Sequence, residues 1–341
     1  MEPLKNRTFK FREAVLLTGA GFTKDFGGRL ADEMWAWIFN SREVQRRSAV
    51  ATALRQNQSY EVVYSEIVNS VSRGAGTYGD EDREAIVASV QRAYLEQDRA
   101  IREYRQGYGD CISFLRRFSG TKQGERGYFF TLNQDLFIER ICFGDLELRA
   151  PGVPGHCAGV RGRNEFDPRN GSERLPTNVD SCALTDEKDG SCGFQYVKLH
   201  GSLNWLSSDG RSAMVIGAEK AALIEDEPLL KFYSGILREV LSAAETRRLC
   251  VIGYRFGDAN INEIIARSIE RNPGLGLYIL NPAQPGDFKQ VMRRAPGKMD
   301  GVGVGDRLWE ALGGYFPWSV KDVLGEGDPT RLEGLQAALF D

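Results

Sequence analysis

The chain has 341 residues, enough to bury a substantial core, and its 42% hydrophobic and 27% charged content excludes wholesale disorder. A net charge of −3 leaves no global positive field and argues against direct recognition of nucleic acid or of an anionic membrane surface. No apolar run approaches bilayer-spanning length, the apolar stretch at 14–17 is too short for a signal peptide, and the six cysteines form no C-x-x-C pair. A cytoplasmic protein with reduced thiols and without structural zinc is expected.

In chain order, residues 14–17 form a short continuous apolar run, as in a parallel strand covered on both faces. Helical periodicity follows over 30–39, continues through 69 and resumes over 80–104, with a Gly-rich break at 74–79. A further helix is predicted over 111–118, a strand over 127–131 and a helix over 136–141. Residues 145–192 lack sustained periodicity and are rich in Gly, Pro, Asn and Asp, so a loop-rich excursion is expected there. Strands are then predicted over 195–199, 249–252 and 277–280, a short strand over 213–216, and helices over 227–241 and 261–270. The tail from 288 onward reads as mostly helical.

This alternation predicts an α/β fold, a Rossmann-like doubly wound parallel sheet with a helical insertion. A single domain over 1–341 is expected. Its sheet core would take 12–30, 110–145 and 193–290, the helical insert 31–109, the excursion 145–192 and the C-terminal helices 286–341. Ligands in such sheets sit beyond the carboxyl ends of the strands. Five signatures fall at those ends: TGAGFT, TLNQD, LHGS, GYRFGD and LNP.

Each signature has a chemical and a structural reading. Gly19 and Gly21 permit close approach of an anionic ligand to the backbone, or simply a strand-to-helix turn. Asn133 and Asp135, one residue apart, can share a face toward a crevice, or cap the next helix. His200 follows an apolar strand and suits general-base work, or is a buried histidine bonded to a carbonyl. The other histidine, His156, falls in the excursion. Asp258 caps a helix or reaches a ligand, and Asn281 makes a turn or does the same.

In this order the five signatures resemble the sirtuin superfamily, over roughly residues 16–282. The resemblance implies NAD+ as the substrate. It places Gly19, Ala20, Gly21 and Thr23 at the phosphates, Gly253 and Asn281 near the adenosine, and Phe22, Gly201 and Asp258 elsewhere among the cofactor-binding residues. It makes Asn133 the residue that positions the attacking oxygen at the nicotinamide ribose, Asp135 the anchor of the carboxamide and His200 the general base. The chain departs from protein-deacylating sirtuins in lacking the zinc cysteines, in having Leu132 before Asn133, and in lacking their G-I-P-x-F-R segment. With GYRFGDANIN in place of the usual Gly-Thr/Ser-Ser, it looks like the bacterial sirtuin-like domains of antiphage defence. That likeness implies an NAD+ glycohydrolase that depletes NAD+, forms a homo-oligomer and answers to a sensor such as a HerA-type ATPase or a short Argonaute. A non-catalytic NAD/ADP-ribose-binding regulatory subunit and an NAD-dependent protein deacylase are the alternatives.

Overall fold

The computed structural model describes residues 9–103, 109–120, 124–142, 148–151, 153, 171–177, 179, 193–207, 209–217, 220–325 and 327–341. His156, Cys157, Cys182, Cys192 and most of the 145–192 excursion lie outside them. At the N-terminal end come β1 (Lys10–Phe11) and β2 (Ala14–Thr18), then the one-turn helix α1 (Ala20–Lys24). The helical insert follows: α2 (Ala31–Phe39), α3 (Arg42–Gln45), α4 (Ser48–Gln56), α5 (Tyr60–Ser72) and α6 (Asp80–Glu103). The chain re-enters the sheet through α7 (Gly109–Arg116), β3 (Glu125–Thr131) and α8 (Phe137–Ile141). Next come the short β4 (Leu148–Arg149) and β5 (Glu173–Arg174), then β6 (Gly193–Lys198) and β7 (Trp205–Leu206). The second half carries α9 (Lys220–Asp226), α10 (Pro228–Ser242), β8 (Arg248–Ile252), α11 (Ala259–Arg271), β9 (Gly276–Leu280) and α12 (Pro285–Arg293). It closes with β10 (Lys298–Met299), β11 (Val302–Gly303), α13 (Gly305–Glu310), β12 (Leu312–Phe316), α14 (Val320–Leu324) and α15 (Pro329–Phe340).

Among the described residues the main sheet runs β12-β9-β8-β2-β3-β6-β4, with β1 also pairing with β3, and every pairing is parallel. The α/β expectation is met. From β2 the chain winds outward through β3 and β6. From β8 it winds the other way through β9 and β12, so the switch point lies between β2 and β8.

Residue alternation along the strands supplies both cores. Val15, Leu17, Phe130, Val197, Val251 and Ile279 face α10 and α11. Leu16, Phe129, Tyr196, Cys250 and Ile252 face the layer built from α7, α8, α14 and α15. The insert has its own core, in which Met34, Ile38, Leu54, Val63, Ile67, Ile86 and Val90 are buried together with Ile216. Ile216 ties the insert to the segment after β7.

One expectation is extended and one corrected. The tail from 288 is mostly helical, and it also carries the antiparallel hairpin of β10 and β11 and the parallel edge strand β12 beside β9. Residues 213–216 form no strand. Their backbone instead bonds across the loop, with Ala213 N–H donating to Trp205 O at 3.0 Å and Val215 N–H to His200 O at 2.9 Å.

Candidate functional site

The sheet brings the five signatures to one edge. Thr18 is in register with both Thr131 and Ile252, and Thr131 with Lys198. Asn133 and His200 each follow two residues after that last pair, so adjacent parallel strands deliver them to the same rim.

The first turn is built by backbone interlock. A Cβ on Gly21 would meet Gly253 Cα at 2.7 Å, and one on Gly253, whose φ is +66°, would meet Phe22 N at 2.2 Å. Gly21 N–H donates to Gly253 O (2.9 Å), Gly19 N–H to Ile252 O (3.0 Å) and Phe22 N–H to Gly19 O (2.9 Å). These three amides are therefore engaged by protein carbonyls, and the glycines serve the approach of the β8 loop as well as any ligand. Ala20 stays exposed at the turn. The Phe22 side chain belongs to the core, edge-on to Phe26, Phe129 and Phe137. Any contact of Phe22 with a cofactor would therefore be through its backbone rather than its ring.

Thr23 joins the first turn to the TLNQD corner. Its hydroxyl lies 3.1 Å from Asp135 Oδ2 and accepts from the Asn133 amide at 3.4 Å. Asp135 also accepts from Phe137 N–H through Oδ1 (3.1 Å) and from the Gln97 amide through Oδ2 (3.5 Å). Burial pushes its carboxyl up to about 6, against the opposing pull of Lys198, the Phe137 amide and Thr23. Asn133 is half-buried and Asp135 buried, so the pair splits into one displayed and one supporting residue.

Beneath them runs a charged network. Lys198, fully buried, donates to Glu139 Oε1 at 2.8 Å and to Asp135 O at 2.5 Å, while Tyr196 OH donates to Glu139 Oε2 at 3.3 Å. Arg140 forms a two-bond pair with Asp98 of α6 at 3.2 and 2.6 Å. Sequence reasoning missed Lys198, Glu139, Gln97 and Asp98. The signal for Lys198 was a lysine inside the apolar run YVKL, where only a paired ammonium can sit.

His200 is buried, and its backbone carbonyl accepts from Val215 N–H. Gly201 follows at φ +73°, where a Cβ would lie 1.9 Å from Ala213 O, so glycine is required. His200 Nε2 stands 3.2 Å from Asp258 Oδ2, an ion-pair distance, and among the described residues neither atom has a hydrogen-bond partner. Asp258 Oδ1 caps α11 by accepting from Ile261 N–H at 3.2 Å. Lys220 Nζ lies 3.8 Å from Asp258 Oδ2 and 2.9 Å from Glu61 of α5. Burial raises the Asp258 carboxyl, but His200, Lys220 and the Ile261 amide together bring it down to about 2. Asn281 makes the predicted turn, with Oδ1 accepting from Ala283 N–H at 3.0 Å.

Residues 128–296 match the family model of the SIR2-like domain. The match over this segment supports a sirtuin-like superfamily. The matched segment holds Asn133, Asp135, His200, Gly201, Gly253, Asp258 and Asn281, and begins after the Gly19–Gly21 turn. A solved structure described as "Structural Basis for the Mechanism and Regulation of Sir2 Enzymes" aligns over 98% of this chain and 95% of its own, at 12% identity and a TM-score of 0.38. No curated protein matches. The SIR2-like domain points to NAD-dependent enzymatic activity. Among the described residues no group of three or more His, Cys, Asp or Glu side chains could hold a metal ion. No described helix is long and apolar enough to cross a membrane.

Proposed function

We propose that this protein is an NAD+ glycohydrolase, releasing nicotinamide and ADP-ribose. The observation that carries the reading is the shared rim at which a displayed Asn133 and a buried His200, its Nε2 without a hydrogen-bond partner among the described residues, stand at the carboxyl ends of the strands beside the switch point. A dinucleotide laid across that crevice would bring its phosphates to the exposed Ala20 and the bare surface of the glycine turn. Asn133 would reach the nicotinamide ribose. Asp135 holds Thr23, and through it Asn133. Its longest bond, to Gln97, is the one that yields if the carboxylate takes the carboxamide.

The bond that breaks joins ribose C1′ to the pyridinium nitrogen. Its electron pair leaves with nicotinamide, which becomes neutral, so departure needs no acid. Water forms the new bond to C1′ and passes a proton to His200, which returns it to solvent. The protein's task is to orient water and ribose and to shield the cationic centre. The resemblance to antiphage sirtuin-like domains extends the reading to NAD+ depletion by a homo-oligomer under a sensor protein such as a HerA-type ATPase or a short Argonaute.

Chromatography of NAD+ incubated with the purified protein tests the reaction. Nicotinamide and ADP-ribose should accumulate without any acylated peptide, and should fall by about 10²–10⁴-fold in His200→Ala. Release that requires an acylated peptide would move the assignment to deacylation. Calorimetric binding of NAD+ without release would move it to a regulatory subunit.

A further inference from the structure

Asp258 was expected among ligand contacts, yet its geometry is that of a partner to His200. The loop that presents it is fixed on every side. Tyr254 OH accepts from Asp258 N–H at 3.1 Å and donates to Asn262 Oδ1 at 2.9 Å. Asn262 Nδ2 in turn donates to Phe256 O and Pro296 O, each at 2.8 Å. Phe256 sits at φ +55°, a conformation costly for a bulky residue, and it is kept there by burial against Tyr254 and Phe288. A strained backbone held by so many bonds fixes the direction of the side chain two residues on. One Asp258 oxygen is spent on the α11 cap. The other stands 3.2 Å from His200 Nε2 and 3.8 Å from Lys220 Nζ, and among the described residues both it and Nε2 are buried without a hydrogen-bond partner.

The geometry assigns Asp258 as the positioning residue of His200: its carboxylate, 3.2 Å from Nε2, favours the proton on that nitrogen by charge and sets the ring orientation, leaving Nδ1 as the nitrogen that takes the proton. This rests on the glycohydrolase reading for the proton's source, and on the structure alone for the tautomer. The carboxylate does not take the proton itself; it stabilises the imidazolium formed when Nδ1 is protonated. Lys220 and Glu61 are the charged groups that face the pair from α9 and α5. The arrangement couples the helical insert to the base, because Glu61 belongs to the insert's α5.

The chain has only two histidines, so imidazole ¹⁵N spectra can be read directly, with His156→Gln identifying the His200 signals. Asp258→Asn keeps an oxygen for the Ile261 amide but replaces the acceptor facing Nε2 with an amide group that donates. At a pH where His200 is neutral, the wild type should show the Nε2–H tautomer, and Asp258→Asn should move it toward Nδ1–H. In the same variant kcat for nicotinamide release should fall about 10²–10⁴-fold with KM changed little, and the melting temperature should stay within a few degrees. Asp258→Glu should recover part of the loss. Unchanged His200 ¹⁵N shifts in Asp258→Asn would overturn the assignment even if the protein proves not to cleave NAD+. Nicotinamide release that His200→Ala abolishes but Asp258→Asn leaves at wild-type kcat would overturn it while sparing the hydrolase reading.

Discussion

Two aspartates stand on opposite flanks of β2, at the ends of β3 and β8, and their proton affinities diverge. Asp135 is pushed up to about 6 and Asp258 down to about 2. Both are buried, so burial raises both. The difference lies in what faces the carboxylate. Near Asp135 the cation is Lys198, whose ammonium bonds Glu139 and the Asp135 backbone carbonyl rather than the carboxylate. Asp258 meets His200 and Lys220 with its own oxygen and takes a helix amide with the other. A buried carboxylate is thus tuned less by depth than by whether a cation is aimed at it or past it.

The contrast can be broken most severely at its cations. Lys198→Met would leave Glu139 buried without its partner and should cost about 3–5 kcal/mol, read as a drop in the urea midpoint. The double variant Lys198→Met/Glu139→Leu should recover much of that loss. Next come the aspartates, whose pH signatures should have opposite sign. Asp135 has a raised carboxyl, so the folded state holds its proton more tightly than the unfolded state does. Ionising it erodes stability as pH rises from about 4 through 6, by up to about 3 kcal/mol. Asp135→Asn should therefore gain on the wild type over that interval in unfolding curves collected at pH 4 to 7. Asp258 has a lowered carboxyl, so its contribution is present above about pH 4 and lost as pH falls toward 2, by about 2 kcal/mol. Asp258→Asn should lose less relative to the wild type as acid is added. Parallel curves for the two variants would erase the distinction. The smallest effect belongs at the surface, where Lys24 pairs with Glu33 between α1 and α2, both side chains more than a third exposed. Lys24→Met should change stability by under about 1 kcal/mol.

How much of this was legible depends on what each residue shows its neighbours in the chain. The strands before TGAGFT, TLNQD, LHGS and GYRFGD were readable because both-face burial leaves continuous apolar runs, and their polar ends mark the rim. β12 was hidden because LGGYF carries two adjacent glycines that read as a loop; only pairing with β9 makes it a strand. Gln97 and Asp98 were hidden for the opposite reason. They sit in DREAIVASVQRAYLEQDRAIRE, where polar residues look like a solvated helix face, and nothing local says that Arg140 and Asp135 lie opposite. The TLNQD corner was located correctly, but that it divides into a displayed amide and a supporting carboxylate required Thr23, which comes from 110 residues earlier in the chain.

The contact between Gly21 and Gly253 has one more consequence. The strip of chain that would seat the substrate's phosphates and the strip that aims Asp258 at His200 lie against each other with nothing thicker than bare backbone between them. A single methyl group introduced at either glycine would act as a wedge, displacing both strips together. Seating of the dinucleotide and aim of the base are thereby set by one shared spacing, so neither can be retuned at that seam without disturbing the other.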